Sequence, residues 1–184
     1  MIEKIHNGVR YFVRFIHERD IPMMVKIETS QDYCCAEEEL RKIKRKRDVI
    51  GMVVEVADKA NRLKLIGFAF YRLHENYNQL IRFVIHHEYR RQGWGRLLME
   101  GLFARLSSQR RNCLVVHVRE TDLDAQLFLR AMGFKAVKVL REYFKDTKEA
   151  AYKMEYWLDG EATGVAAVAE VDDDFDVYLN EGAD

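Results

Sequence analysis

The run Arg90-Arg91-Gln92-Gly93-Trp94-Gly95 constrains this chain more than any other six residues. Before it stands Leu80-Ile81-Arg82-Phe83-Val84-Ile85, apolar and β-branched enough for a strand. After it, Gly95-Arg96-Leu97-Leu98-Met99-Glu100-Gly101-Leu102-Phe103 reads as a helix, and Leu98, Leu102 and Leu106 repeat every four residues along a core face. A strand that turns through glycines into a helix leaves backbone N–H groups unpaired at the helix start. Those donors and the helix dipole suit a phosphate group. Glycine lets the backbone come close to such a group. A pattern this short also arises by chance, as a glycine turn between solvated arginines, and the motif alone leaves both readings open.

The rest of the chain supplies partners for this unit. Residues 9–16 alternate and read as a strand. Asp20 ahead of Pro22 predicts a helix start, with Asp as cap and Pro in the first turn, and the helix runs to about Ser30. A second helix is expected over 36–46 and holds the densest basic run, Arg41 to Arg47. Residues 50–56 and 63–73 read as a hairpin around a polar turn at 58–61. Strand 80–86, helix 93–109 and the valine-rich strand 113–119 form one βαβ unit, expected to cross over right-handedly. Helix 123–132 is capped by Thr121 or Asp122 and ended by Gly133, and strands 134–144 and 151–157 close the chain as an antiparallel pair. Helices between strands, with hairpins at both ends, predict an α/β fold: a mixed sheet with helices on both faces.

The 184 residues and 48% hydrophobic content suit one domain with one core. No apolar run reaches the roughly 18 residues of a membrane span, and the first residues lack the apolar segment of a secretory signal. Cys34, Cys35 and Cys113 are too few and too oddly spaced for a disulfide framework or a zinc site, and His86 and His87 have no further ligand at suitable spacing. These features predict a cytoplasmic protein with no metal and no membrane partner. The net charge of zero hides an asymmetry. From Asp159 onward there are nine acidic residues and no Lys or Arg, so residues 1–158 carry 30 basic and 21 acidic residues, a net +9. The expected organisation is a domain over 1–158 and an acidic, disordered tail over 159–184.

This order of elements, with Arg-x-x-Gly-x-Gly opening the third helix, resembles the GNAT (acyl-CoA N-acyltransferase) superfamily over about residues 9–157, and within it the RimI-type N-terminal protein acetyltransferases. Four stretches carry the resemblance: Val13-Arg14 through Asp20-Ile21-Pro22 to Ile27-Glu28; Ile66-Gly67-Phe68-Ala69-Phe70-Tyr71; Val118-Arg119-Glu120-Thr121-Asp122 with Gly133-Phe134; and Arg141-Glu142-Tyr143-Phe144 followed by Glu149-Ala150-Ala151-Tyr152-Lys153-Met154. The resemblance implies a mostly antiparallel sheet in which the parallel strands 80–86 and 113–119 splay apart around acetyl-CoA, the co-substrate. The backbone of Phe83, Val84 and Ile85 would pair with the pantetheine arm, and the Ile85 N–H would polarise the thioester carbonyl. Arg91, Gln92, Gly93, Trp94, Gly95 and Arg96 would hold the pyrophosphate, with Arg90, Arg91 and Arg96 adding positive charge on the 3′-phosphate side.

The chain departs from the family pattern at several positions. His117 stands where RimI-type enzymes carry a glutamate base. At an ordinary pKa near roughly 6.5 it can take a proton from an attacking ammonium, or it is a buried strand histidine satisfied by a carbonyl. Leu129 replaces the tyrosine that protonates the leaving thiolate. Tyr143 is the phenol best placed to substitute, its other reading being a core or substrate-contact aromatic. Asp122 replaces an asparagine, and Asp32-Tyr33-Cys34-Cys35 stands where the family has Pro-Trp. Glu28 either binds the incoming α-ammonium or is a solvated helix-end carboxylate. The basic helix is either a solvated face or a contact for rRNA or an acidic partner.

The resemblance predicts acetyl transfer to a protein α-amine by direct attack in a ternary complex. A ribosomal protein is the favoured class of acceptor, with possible association with the ribosome. The alternatives are a small-molecule amine or polyamine acetyltransferase, and a catalytically impaired module that binds acetyl-CoA.

Overall fold

Residues 2–29, 37–108 and 111–158 are described by the computed structural model. They fall into two compact units, divided between Arg111 and Asn112. The acidic tail and the Asp32-Tyr33-Cys34-Cys35 loop lie outside the described residues.

The first unit holds β1 (Ile2–His6), β2 (Val9–Phe15), α1 (Ile21–Thr29), α2 (Glu37–Arg45), β3 (Val49–Ala57), β4 (Leu63–Leu73), β5 (Asn78–Ile85) and α3 (Trp94–Ser108). Its five strands pair in chain order, each antiparallel to the next. Strand β1 was not expected from the sequence. It is joined to β2 by Asn7 and Gly8, with φ of 49° and 75°. Both central residues are left-handed, as a type I′ hairpin turn requires. In β4 seven consecutive residues, Leu65 to Tyr71, are buried. A strand buried without alternation is covered on both faces, and both α1 and α3 pack against it.

Gly67 sits where β4 meets β5. A Cβ there would lie 2.8 Å from the Val84 carbonyl oxygen and 2.4 Å from Ile85 Cδ1. Gly67→Ala is therefore expected to destabilise the protein by about 1–3 kcal/mol, because the obstructing atom is backbone. Urea denaturation measures this, and an unchanged midpoint would show that the two strands separate at little cost.

The expected cap of α1 is corrected by the structure. Asp20 does not cap that helix but ends a short 3-10 turn, Glu18–Asp20. Its carboxylate accepts the His17 N–H at 2.7 Å and the Arg14 Nη1 and Nη2 protons at 2.7 and 2.9 Å. Arg14 also donates to Glu55 from Nε at 2.9 Å and from Nη2 at 2.6 Å. A buried guanidinium with five donors competes successfully for a carboxylate that would otherwise cap the helix.

The second unit holds β6 (Cys113–Arg119), α4 (Leu123–Ala131), β7 (Lys135–Phe144) and β8 (Glu149–Trp157). Strand β8 lies between β6 and β7 and is antiparallel to both. Asp122, rather than Thr121, caps α4 by accepting the Ala125 N–H at 3.0 Å. Gly133, at φ 93°, ends it. The Phe134 N–H bonds to the Leu129 carbonyl and the Gly133 N–H to that of Arg130, the two bonds of a Schellman motif. Cys113 is a buried core thiol whose pKa is pushed up to about 12, by burial first and then by Glu155. Among the described residues, no helix is long and apolar enough to cross a membrane, and no group of three or more His, Cys, Asp or Glu converges as a metal site would require.

Candidate active site

His117 and Tyr143 are brought together in the second unit. The Tyr143 hydroxyl lies 2.6 Å from His117 Nδ1, with the rings edge-on at 4.7 Å between centroids. The two side chains belong to β6 and β7, with β8 between them, roughly 10 Å apart at the backbone. A bulge in β7 makes the reach possible. The register with β8 breaks between Leu140 and Phe144, and Glu142 takes a left-handed φ of 52°. Such an irregularity re-aims the neighbouring side chain.

The turn after the bulge is tied down by Arg119, at the end of β6. Its Nη1 donates to Thr147 Oγ1 at 2.8 Å and to Glu149 at 3.0 Å, and its Nη2 donates to Asp146 at 2.8 Å. The guanidinium lies 3.9 Å from the centroid of Phe144, next to Tyr143. Glu149 also accepts the Thr121 N–H at 2.9 Å and the Thr121 hydroxyl. These ties hold the Tyr143 segment of β7 to the end of the strand that carries His117.

The imidazole is not an ordinary histidine. Burial first, and the cation of Lys153 second, push its pKa down to about 4. Lys153 is its register partner on β8 and pairs with Glu155 at 2.9 Å, both nearly buried. His117 is therefore neutral throughout the physiological range. The expectation of a pKa near roughly 6.5 is corrected, because a strand position beside a buried ammonium disfavours the charged form. Nε2 is buried and makes no hydrogen bond among the described residues. In the tautomer whose Nδ1–H donates to the Tyr143 oxygen, Nε2 carries the lone pair and is the basic atom; in the other, Tyr143 donates and Nε2 holds the proton. The Leu129 side chain is buried and offers no acidic proton.

In the first unit, the turn from β5 into α3 is built from strained and pinned residues. Arg91 and Gly93 have φ of 59° and 89°. Arg90 Nε donates to the Ile85 carbonyl at 3.1 Å, and Gln92 Nε2 donates to the Glu88 carbonyl at 2.8 Å. Arg90 thus braces the turn, while Arg91 and Arg96 are exposed. The first helical bond of α3 runs from Leu97 N–H to the Gly93 carbonyl at 3.2 Å. The N–H groups of Gly93, Trp94, Gly95 and Arg96 therefore precede the hydrogen-bond ladder, which fits a phosphate ligand. Phe83, Val84 and Ile85 pair on one side with Ala69, Phe68 and Gly67 of β4.

A family profile described as the acetyltransferase (GNAT) domain matches residues 26–169, well over half of the chain. The chain belongs to the GNAT family. It is an acetyl-CoA-dependent N-acetyltransferase. A comparison with curated proteins gave no match. Solved structures share the GNAT fold. The ribosomal-protein alanine N-acetyltransferase of Escherichia coli is 19% identical with a TM-score of 0.69, over 85% of this chain and 99% of that one. NAA60 of Arabidopsis thaliana, in complex with a bisubstrate analogue, is 16% identical with a TM-score of 0.69, over 82% and 99%. A chimera of the spermidine N-acetyltransferase SpeG of Vibrio cholerae and hSSAT is 17% identical with a TM-score of 0.68, over 81% and 96%.

Glu28 is buried in this GNAT protein, and its Oε1 accepts from Arg82 Nη1 at 2.8 Å. The same Arg82 donates to Glu39 of α2 at 3.1 Å. An incoming ammonium would have to share the Glu28 carboxylate with Arg82. In the basic helix, Arg41 pairs with Glu37 and Glu18, and Lys44 pairs with Glu18. Part of that positive charge is neutralised within the chain. Sequence reasoning assigned no role to Arg119, Glu149 or Lys153. All three lie in stretches that carried the family resemblance, and nothing in one-dimensional spacing shows which side chains a β-bulge turns toward a histidine.

Proposed function

We propose that this N-acetyltransferase acetylates the α-amine of a protein N-terminus, with His117 taking the amine's proton. The observation that carries this reading is the 2.6 Å contact between Tyr143 and His117 Nδ1. It supports a neutral imidazole whose Nε2 is held ready as acceptor. Tyr143 acts here as the positioning partner of the base. The Lys153 cation beside His117 favours an acceptor with one charge over a polyamine carrying several. Ribosomal-protein N-termini come first among candidate acceptors, because one structure of the same fold is a ribosomal-protein alanine N-acetyltransferase.

Acetyl-CoA supplies the activated acetyl thioester. The main chain of Phe83, Val84 and Ile85 holds its pantetheine arm in this proposal, and the N–H groups of residues 91–96 hold its pyrophosphate. Gly95→Glu places a carboxylate against that pyrophosphate. It is expected to weaken acetyl-CoA binding on the order of 100-fold. Calorimetry on the folded variant checks this, and unchanged affinity would remove the phosphate role of the turn. The acceptor is tested by CoA release with a panel of N-terminal peptides, a lysine peptide and spermidine. Peptide N-termini are expected to give kcat/KM values at least about tenfold above spermidine, which corresponds to one misplaced charge. Faster turnover of spermidine would overturn the assignment.

A further inference from the structure

The N-terminal hairpin, which the function so far leaves unused, touches the cofactor turn through His6 and Tyr11. His6 closes β1 and is held out by the Asn7-Gly8 turn. Its Nε2 lies 2.9 Å from the Gln92 carbonyl oxygen, to which it donates as the Nε2–H tautomer, and 3.2 Å from the Asn7 amide nitrogen. Its ring stands edge-on to Trp94 at 4.9 Å between centroids, and Tyr11 of β2 stands edge-on to the same indole at 5.9 Å. Trp94 is buried, and its indole N–H reaches the Gln92 side chain at 3.4 Å. Gly93, between these two residues, is packed against the same imidazole. A Cβ there would lie 2.8 Å from His6 Nε2. Three successive residues of the turn are thus in contact with one side chain 86 positions away in sequence.

The geometry points to His6 as a positioning residue for acetyl-CoA: the β1–β2 hairpin latches the Gln92-Gly93-Trp94 turn in its binding conformation. The inference rests on the reading of residues 91–96 as the pyrophosphate turn. The physical reason is preorganisation. Arg91 and Gly93 hold left-handed backbone conformations, and a turn of that kind persists only when its surroundings determine it. A trans peptide holds its C=O and N–H opposed, so fixing the Gln92 carbonyl toward His6 turns the Gly93 N–H away from it. A latch of this kind lowers the ordering cost of the ligand rather than adding a contact to it.

The test compares two donors on the full-length protein. Acetyl-CoA carries the pyrophosphate and S-acetylpantetheine does not. Calorimetry with acetyl-CoA and NMR titration with S-acetylpantetheine are run on wild type, His6→Ala, His6→Gln and Gly95→Glu. His6→Ala is expected to weaken acetyl-CoA roughly tenfold and to change S-acetylpantetheine less than about twofold, since one well-placed hydrogen bond and its ordering effect are removed. His6→Gln retains an N–H donor and is expected to recover most of the loss. If Gly95→Glu weakens acetyl-CoA and His6→Ala does not, the latch is wrong and the pyrophosphate turn stands. If neither variant weakens it, the turn itself is misassigned and the latch falls with it. Equal loss for both ligands in His6→Ala would assign His6 to general stability and overturn the proposal, as would a His6→Gln variant no better than alanine.

Discussion

His117→Ala is expected to lower kcat about 10²–10⁴-fold, the usual contribution of a positioned base. Acetyl-CoA affinity is expected to stay within about twofold, because the proposed cofactor residues belong to the other unit. The pH dependence follows from the displaced titration. With a pKa of about 4, His117 is a weak base toward an ammonium of pKa roughly 7.7–8.0. The acceptor must therefore arrive as the free amine. Its nitrogen becomes strongly acidic only as the new C–N bond forms; the imidazole takes the proton then, and the C–S bond breaks to release CoA as its thiolate. The kcat/KM profile of wild type should rise through the pKa of the acceptor amine, with no inflection near 6.5. The deficit of the alanine variant should stay constant from about pH 6 to 9. An ordinary histidine would instead give a deficit that narrows toward pH 9 as the amine loses its own proton. His117→Gln keeps the polar shape without the basic nitrogen and should show the same loss. Stability supplies an independent readout. The folded pKa lies below the unfolded value, so the unfolded chain takes the proton first, and wild type loses stability as pH falls from about 6.5 to about 4. Above that window His117 contributes no pH dependence, and the alanine variant lacks the His117 share of the slope, keeping that of His86, whose pKa burial also lowers. Wild-type rates for His117→Ala across pH 6–9 would make His117 a buried structural residue and remove the proposed base.

The elements that were readable from sequence are those whose periodicity is set by burial. The hairpin of β3 and β4, the helix after Gly93 and the closing pair of β7 and β8 all follow from apolar spacing and glycine stops. Strand β1 was missed although Asn7-Gly8 is a strong hairpin signal, because the stretch before it, Ile2-Glu3-Lys4-Ile5-His6, is short and mostly polar. The pairing of His117 with Tyr143 was half legible. Tyr143 stood in a family stretch and His117 directly before one, but the bulge at Glu142 that joins them depends on register, which is a property of two strands at once. Glu28 illustrates the opposite failure. A carboxylate at a helix end reads as exposed, yet Arg82 from β5 draws it into the interior. Asp20 failed for the same reason: its competing partner, Arg14, is only six residues away but sits on a different element. Long-range charge pairing is the term that local reading cannot weigh.

That pairing makes the second large effect. Arg14→Met is expected to destabilise the protein by about 3–5 kcal/mol at pH 7, because it strands two buried carboxylates without a counter-charge. Asp20 and Glu55 are 6% and 8% exposed, so water cannot replace the guanidinium. In wild type, burial works against ionisation of Asp20, but the hydrogen bonds from Arg14 and from the His17 N–H outweigh it and hold the carboxyl below its usual pKa. A depressed carboxyl contributes stability above its unfolded pKa, near roughly 3.9, and loses it as pH falls through the folded value. Wild type should therefore keep this contribution down to about pH 4. In the methionine variant the sign reverses. Burial without Arg14 raises the carboxyl pKa above the unfolded value, so folding takes up a proton and the variant gains stability as the pH falls. The deficit should be largest at pH 7 and shrink by pH 5. Urea denaturation of both proteins at the two pH values gives the comparison. The triple variant Arg14→Met, Asp20→Leu, Glu55→Leu separates charge from shape: it removes the stranded carboxylates and should recover much of the loss, since apolar replacements of buried ion pairs are often near neutral. A deficit below about 1 kcal/mol at pH 7 would place the network in the class of solvated surface pairs. It would then not be the element that fixes the turn from β2 into α1.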